Sequence, residues 1–455
     1  MNSLWFDSMP PPSVRPPLPG PTSVDVVIVG AGYTGLWTAY YLAERVPDAS
    51  IVVIDAHHVG FGASGRNGGW CISEVAADAE RWDALAGPGG GRRMADAMHH
   101  TVDEVERVTI VEGIDCDWAL GGELYLARNP AQVTRLRAQV SGTLARAPES
   151  EARWLDADEA RSLCNATKVL GAMHLPQTAA LHPGKLVTGL AEACERRGVV
   201  IHDDTRATSL SSGVVETTRG RITATSVVMA TEAYSRDLEG HKRSLVPLYS
   251  LMVATEPLPA DVLEEIRLET RPTFADARYR VIYGQRTADG RLAFGGRSAP
   301  YRYGSVIDPA TESDPGYHQM IIDTLHDLFP VVRDAAITHQ WGGVLGVPRN
   351  WTPTVNDLGD GVYRAGGYVG EGVAATNLAG RCLAHLIAGA GGADHDRDLT
   401  TLPWVRKPSR RWAPEPFRFA AIKVGAELFE RADRHEEATG TPAKQAELVW
   451  KYLRR

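Results

Sequence analysis

The stretch Asp25-Val26-Val27-Ile28-Val29-Gly30-Ala31-Gly32-Tyr33-Thr34-Gly35-Leu36 carries a run of apolar, mostly β-branched residues straight into G-x-G-x-x-G. A helical pattern follows at Leu36, Ala39, Tyr40 and Ala43. A second apolar strand, Ile51-Val52-Val53-Ile54, then ends in Asp55, 20 residues beyond Gly35. Each part has a physical job. Gly30 allows the tight turn out of the strand, Gly32 lets the backbone approach a pyrophosphate, and Gly35 lets the helix pack closely on the sheet. The helix N-terminus offers unpaired N–H groups and a positive dipole end to that pyrophosphate. Asp55 stands where a carboxylate can accept hydrogen bonds from both ribose hydroxyls. Strand, glycines, helix, second strand and terminal acid in register predict a dinucleotide site.

Composition narrows the class. At 455 residues the chain is too long for one ordinary core, so two joined domains are expected. A hydrophobic content of 44% and a charged content of 23% are those of a soluble globular protein. A net charge of −8 argues against nucleic acid as a partner, whose footprint would be basic. Five scattered cysteines, none in C-x-x-C, fit reduced thiols in a cytoplasmic protein rather than a disulfide framework or a zinc site. No metal site is expected. The N-terminus lacks the basic and apolar regions of a signal peptide, and no stretch approaches the roughly 20 apolar residues of a membrane span. The prolines of residues 9–21 suggest an extended surface arm, with a flexible tail as the alternative.

Along the chain, residues 60–73 read as a glycine-rich loop. Helical patterns lie at about 92–112, 131–147 and 184–197, with a strand-like piece at Leu124–Leu126. Val199–His202 opens a strand and hairpin that runs to Val227–Thr231. From about 243 to 346 the pattern is strand-rich (Leu245–Thr255, Phe274–Tyr283, Leu292–Gly296, Thr338–Leu345), interrupted by one helix at 314–328. Residues 362–367 return as a strand and 371–389 as a helix. The tail carries a helical stripe (Phe417, Ala420, Val424, Leu428) expected to pack on the body. His395 reads as a solvated residue of a linker at 389–398. The nucleotide-binding strands lie at both ends of the chain, with the strand-rich lobe between them. That interleaving favours a flavoprotein over a nicotinamide dehydrogenase, which usually completes its nucleotide domain in one stretch. The expected fold is α/β: a discontinuous Rossmann-like FAD-binding domain (24–90, 150–240 and 335–400) with an inserted antiparallel-sheet substrate domain (91–149 and 241–334). An N-terminal arm (1–23) and a helical tail (401–455) flank them.

Three motifs stand together: Gly30-x-Gly32-Tyr33-Thr34-Gly35, the loop Gly60-Phe61-Gly62-Ala63-Ser64-Gly65-Arg66-Asn67-Gly68-Gly69, and Gly367-Tyr368-x-Gly370-x-Gly372-Val373. With Val253–Leu258 and the pair Gly295-Gly296, they make residues 20–390 resemble the D-amino-acid oxidase-like superfamily of FAD-dependent amine oxidoreductases. Within it the chain is most similar to the gamma-glutamylputrescine oxidoreductase group, with sarcosine and glycine oxidases as relatives. The resemblance implies that Ala63, Ser64, Arg66, Asn67, Gly68 and Gly69 wrap the pyrophosphate and the dimethylbenzene side of the flavin, with Ser64 donating to phosphate. Ala207 would hold the adenine through its backbone, and Ala230 and Thr231 would pass beneath the ribose and phosphates. Gly342 and Gly367 belong to strands expected beside the cofactor. Gly370, Gly372 and Val373 open a helix whose N–H groups would face the flavin N1–C2=O edge, which becomes negative on reduction. A plain glycine N-cap is the alternative there. Some relatives attach FAD through a histidine or a cysteine. This chain has Asn67 near the first position and Gln340-Trp341-Gly342-Gly343 at the second, so FAD is expected to be noncovalent.

The activity implied is oxidation of an amine or amino acid by hydride transfer to flavin N5. The imine is then hydrolysed and O2 is reduced to H2O2. A dehydrogenase with another acceptor, an aminophosphonate oxidase and a non-catalytic flavoprotein remain alternatives. Candidate substrate-site residues are Trp70, Trp341, Tyr368, Glu371 and His339, with Tyr249, Tyr279 and Tyr283 as further aromatics. Glu371 could hold a cationic nitrogen or cap its own helix. Arg66, Arg297 and His339 are candidates for the positive charge that assists oxygen. The oligomeric state is not legible.

Overall fold

The structure is a computed structural model that describes residues 3–296, 301–389 and 399–454. Arg297 and His395 lie outside the described residues. Strand Thr22–Val29 sits mid-sheet, with parallel partners on both sides: Gly220–Met229 on one and Ile51–Ile54 on the other. Val200–His202 extends the sheet beyond Ile51–Ile54, and Val362–Gly366 beyond Gly220–Met229, both in parallel. Thr354–Asp357 closes that edge antiparallel. The uninterrupted apolar run of the first strand has a direct cause. Val26 and Ile28 enter one core, and Val27 and Val29 enter another, so both faces are covered. Helices Tyr33–Arg45, Gly90–Glu112, Pro183–Arg196 and Val373–Ala388 cover the first face. The hairpin Ala207–Ser211/Val214–Thr217 covers the second.

A second eight-stranded sheet runs in the order Ile337–Val347, Val246–Thr255, Leu292–Gly296, Ile282–Arg286, Thr273–Asp276, Glu123–Ala127, Gly171–Leu175, Arg153–Leu155. All its pairings are antiparallel except Thr273–Asp276 with Glu123–Ala127. Helix Pro315–Leu328 packs on it through Ile321, Leu325 and Leu328. This mixed α/β architecture is the fold class expected from the sequence.

Several boundaries differ from expectation. Helix Gly90–Glu112, placed with the substrate lobe, buries Met94, Met98, Val102, Val105 and Val108 in the core of the nucleotide sheet. Strands Arg153–Leu155, Gly171–Leu175 and Ile337–Val347, placed on the nucleotide side, belong to the second sheet. Local periodicity reports which face of an element is apolar, not which sheet receives it. The expected strand Phe274–Tyr283 is two strands, because Asp433 of the tail accepts the N–H groups of Tyr279 (2.7 Å) and Arg280 (3.0 Å) and draws that segment out of the ladder. The loop at 60–73 contains a 3₁₀ turn, Ala63–Gly65, and a short strand, Trp70–Ile72, paired with Thr178–Ala180.

Both termini also depart in part from expectation. The proline-rich stretch 10–19 has no regular structure and is mostly exposed, as an extended arm would be, but it is preceded by a helical turn, Leu4–Asp7, whose Leu4 and Trp5 are buried. In the tail helix Phe417–Thr439, the apolar stripe packs only at its Leu428 end, while Phe417 and Val424 are 70% and 69% exposed. The inward face instead carries Arg418, Ala432 and Glu436, held by ion pairs of Arg418 with Glu415 and of Glu436 with Arg135. No helix among the described residues is long and apolar enough to cross a membrane.

Candidate active site

A groove crosses the carboxyl ends of the nucleotide-sheet strands, the usual binding edge of such sheets. Gly30, Gly32, Tyr33 and Thr34 line its middle, and Asp55, Ala207, Ala230 and Thr231 line one end. Asp55 Oδ2 accepts from Ala31 N and Oδ1 from His57 N, both at 2.9 Å. Burial holds its carboxyl above the ordinary range, with those two N–H groups opposing the shift. Each carboxylate oxygen keeps a lone pair for a further donor. A Cβ on Gly32 would stand 2.9 Å from Ser64 Oγ, inside the groove, and one on Gly35 would run into the Gly30 carbonyl oxygen. Gly35 itself does not line the groove; it sets how closely the helix meets the strand. Ser64 Oγ accepts from Tyr33 N (2.9 Å) at the helix start, which leaves its own hydrogen available to an anion there.

The glycine-rich loop forms the next wall. Ala63, Ser64 and Asn67 face the groove, while Arg66 and Gly68 face a larger cavity beside it. Asn67 braces the loop: its Nδ2 donates to the carbonyls of Ala63 (3.1 Å) and Ser64 (2.8 Å), and its Oδ1 accepts from Gly69 N (2.8 Å). Gly69 lines neither space and has φ +70°. Trp341 lines neither. It is buried and its Nε1 donates to the Arg66 carbonyl (2.9 Å). Arg66 lies over the Phe61 ring at 4.8 Å, pairs with Glu312 at 2.5 Å and reaches the Gly342 carbonyl at 3.3 Å. Gly342 thus meets the loop through its carbonyl and does not line the groove.

At the opposite end, Gly370, Gly372 and Val373 line the groove at the start of helix Val373–Ala388. Neither Gly372 nor Gly32 supplies a side-chain cap to its helix. Tyr368 also lines the groove; its hydroxyl meets Thr34 Oγ1 at 3.1 Å, and burial raises its phenol. Gly367 stands behind and donates its N–H to Glu232 (2.9 Å), which also accepts from Tyr368 N (3.3 Å). Glu232 was missed in the sequence. Its one signal is a charge two residues after the apolar run Val227–Ala230.

The groove shares Ala63, Asn67, Leu345, Gly370 and Val373 with a cavity of about 880 Å³ that opens towards the second sheet. Trp70, Glu371, Tyr279 and Tyr283 line that cavity, and Trp70 Nε1 is buried without a partner. Tyr249 does not line it, since its hydroxyl is engaged by Asp308 N at 2.6 Å. His339 is not brought to the site either. It lies 3.6 Å from Asp7 of the N-terminal turn, and burial lowers its imidazole. Of the candidates to assist oxygen, Arg66 alone borders the cavity among the described residues, and its charge is matched by Glu312.

The residues present fit FAD. Two helix N-termini whose N-cap residues, Gly32 and Gly372, have no side chain face one groove, with an acid at one end, a Cβ-free cradle in the middle and a large cavity at the other end. This arrangement is that of a flavin-dependent oxidoreductase. The chain belongs to the FAD dependent oxidoreductase family, which it matches over residues 25–386. It is 30% identical over 417 residues to the gamma-glutamylputrescine oxidoreductase of Escherichia coli K12, covering 90% of this chain and 93% of that protein. It is 25% identical to a sarcosine oxidase subunit beta from an Arthrobacter species, over 80% of this chain and 87% of that one. Glycine oxidase from Bacillus cereus shares the fold with a TM-score of 0.67 at 19% identity, over 86% of this chain and 99% of that one. The L-proline dehydrogenase of P. horikoshii does so with 0.69 at 19%, over 85% and 98%. The protein is therefore an FAD-dependent oxidoreductase.

Proposed function

We propose that this protein oxidises the C–N bond of an amine or amino acid, with O2 as the electron acceptor. The observation that carries the proposal is the continuity of the nucleotide groove with the 880 Å³ cavity, which share Ala63, Asn67, Leu345, Gly370 and Val373. The names of the relatives, which act on gamma-glutamylputrescine and sarcosine, support the substrate class.

FAD supplies the hydride acceptor, and the protein needs only to bind, orient and tune. Asp55 would take the ribose, and the Gly30–Gly35 turn and Ser64 the pyrophosphate. Gly370–Val373 would present N–H groups to the ring edge that gains charge on reduction. FAD would be held without a covalent bond: Asn67 spends its amide on the loop, and Gln340–Gly343 offers no nucleophile. Trp70 and Glu371 would orient the amine. The neutral amine loses hydride from its α-carbon and a proton from nitrogen; water then converts the imine to a carbonyl product and releases the amine nitrogen.

The test is anaerobic bleaching of the holoenzyme by polyamines, N-methyl amino acids, cyclic imino acids and aminophosphonates. At least one amine is expected to bleach the yellow band, and admitted air to restore it with one H2O2 per turnover. Failure of every amine removes the proposal. Bleaching that air does not reverse moves the protein to the dehydrogenases.

A further inference from the structure

Two glycines of the cofactor loop, Gly68 and Gly69, meet the second lobe rather than the groove. In strand Ile282–Arg286 the side chains alternate between two faces. Ile282 enters the core of the second lobe, and a Cβ on Gly284 would run into the Phe274 ring of that core. Tyr283 and Gln285 face the other way, onto the loop after Asn67. A Cβ on Gly68 would stand 2.8 Å from two carbons of the Tyr283 ring, whose hydroxyl meets Ser250 Oγ at 2.7 Å. Gln285 is 0% exposed. Its Nε2 donates to the carbonyl oxygens of Gly68 (2.6 Å), Leu181 (3.1 Å) and Gly69 (3.3 Å), and a Cβ on Gly69 would run into that nitrogen. Glycine at 68 and 69 therefore makes a seat for this strand.

Three acceptors converging on one buried atom require a donor. A carboxylate would repel them, and an apolar side chain would leave buried carbonyls short of donors. The amide stands there although its Oε1 is buried without a partner, an orphan that a side chain chosen for packing alone would avoid. The segment it grips joins the two halves of the site. Asn67 lines the groove and accepts the N–H of Gly69 at 2.8 Å. Trp70 lines the cavity and meets the Tyr283 ring edge-on at 6.0 Å. Gln285 itself lines neither space.

We propose that Gln285 is a positioning residue for the oxidation: it fixes the Gly68–Trp70 segment, and through it the spacing between an amine in the cavity and the cofactor in the groove. The proposal rests on the amine-oxidising reading above. Gln285 makes no hydrogen bond to Asp55, to the Gly30–Gly35 turn or to Gly370–Val373, the groups that would anchor FAD, so its effect falls on the rate and not on cofactor binding.

The test uses Gln285→Met, which keeps the length of the side chain without its N–H groups, and Gln285→Glu, whose carboxyl donates one hydrogen when protonated and none when ionised. FAD is the first probe, and Gln285→Met should bind it within about threefold of the parent's affinity. The second probe is the panel amine that bleaches the parent fastest. At saturating amine, Gln285→Met should bleach about tenfold or more slowly, because small misplacements of reacting groups cost rate. The amine concentration giving half that rate should move by less than about threefold. The rate of Gln285→Glu relative to the parent should rise as pH falls and its carboxyl takes up a proton, while the same ratio for Gln285→Met stays level. Bleaching by Gln285→Met within about twofold of the parent overturns the proposal and leaves the amide a purely stabilising role. A level ratio for Gln285→Glu overturns it as well, and so does FAD affinity that falls in step with the rate, because the amide then builds the groove. Visible circular dichroism of bound FAD needs no amine. The Gln285→Glu spectrum should pass from parent-like at low pH to that of Gln285→Met at high pH. If no amine bleaches the parent, amine oxidation falls and this titration alone decides whether Gln285 sets the loop; parent-like spectra of both variants at every pH would show that it does not.

Discussion

Glu232 shows how one side chain ties the middle of the chain to its later glycine motif at the cofactor groove. It follows strand Gly220–Met229 and accepts the N–H groups of Gly367 and Tyr368, 135 and 136 residues later. A Cβ on Gly366 would stand 2.6 Å from its Oε2, so glycine there makes room for the carboxyl. Burial pushes that carboxyl up from its ordinary 4.5 to about 7, against the pull of the Gly367 and Tyr368 amides. Between those two values the folded protein holds a proton that the unfolded chain has lost. Stability from this group therefore falls as pH rises from about 4.5 to about 7 and is level above. Glu232→Gln cannot titrate, so relative to the parent it should gain thermal stability between pH 5 and pH 8. Melting curves of the FAD-free protein across that range read the difference, and parallel pH profiles for the two proteins would refute it.

At the scale of elements, the N-terminal turn backs the loop that faces the cofactor. Trp5 is 1% exposed, packs edge-on against Trp341 at 6.0 Å and donates its Nε1–H to the Asn67 carbonyl at 2.8 Å. Phe6 lies where a Cβ on Gly65 would be, so the turn and the loop fit against each other. Trp5→Ala removes a fully buried ring, at a cost of about 3–5 kcal/mol. Trp5→Phe keeps much of the packing but leaves the Asn67 carbonyl without its donor, at a cost of about 1–3 kcal/mol. Because that carbonyl belongs to the loop, both variants should weaken FAD binding, Trp5→Phe by about tenfold and Trp5→Ala by more. Fluorescence titration of apoprotein with FAD measures this; unchanged affinity in Trp5→Ala would show that the turn only adds stability. Nothing local in Leu4-Trp5-Phe6 announced this role, because a four-residue turn has no periodicity to read and its partners lie about 60 and 340 residues away. The opening βαβ unit was legible for the opposite reason. Its strand, glycines and acid are contiguous, and each residue type answers a local demand. The loop and the Gly370–Val373 helix start were legible through their glycines. His339 and Trp341 share a strand with groove-lining Val344 and Leu345, yet Trp341 packs against Trp5 and His339 lies beside Asp7, so the N-terminal turn covers them away from the site.

At the scale of the molecule, the cavity is enclosed by three separate parts of the chain: the nucleotide sheet, the second sheet and the C-terminal helices. The family match ends at residue 386, yet the tail closes the cavity's outer end, where Glu447 joins its lining. The tail is held by more than contact. Asp433 takes two backbone N–H groups of the second sheet's bend, Glu436 pairs with Arg135 and accepts from the Tyr279 hydroxyl at 3.2 Å, and Phe429 stacks on Tyr279 at 5.9 Å. This also explains why the apolar stripe misled. Polar anchors, not the Phe417/Val424 face, decide how the helix lies. None of the tail residues lines the nucleotide groove. A chain ending at Pro416 should therefore keep its flavin and its flavin spectrum, because the groove is built without the tail. It should lose the outer wall that positions the far end of a long substrate, raising KM for long amines by about tenfold or more while changing kcat little, as expected when binding alone is lost. Short amines, which do not reach that wall, should be handled as before. Steady-state kinetics of the truncated and full-length holoenzymes over an amine series of increasing length measure the effect. A KM that stays constant along the whole series would mean that the tail encloses the cavity without touching what enters it.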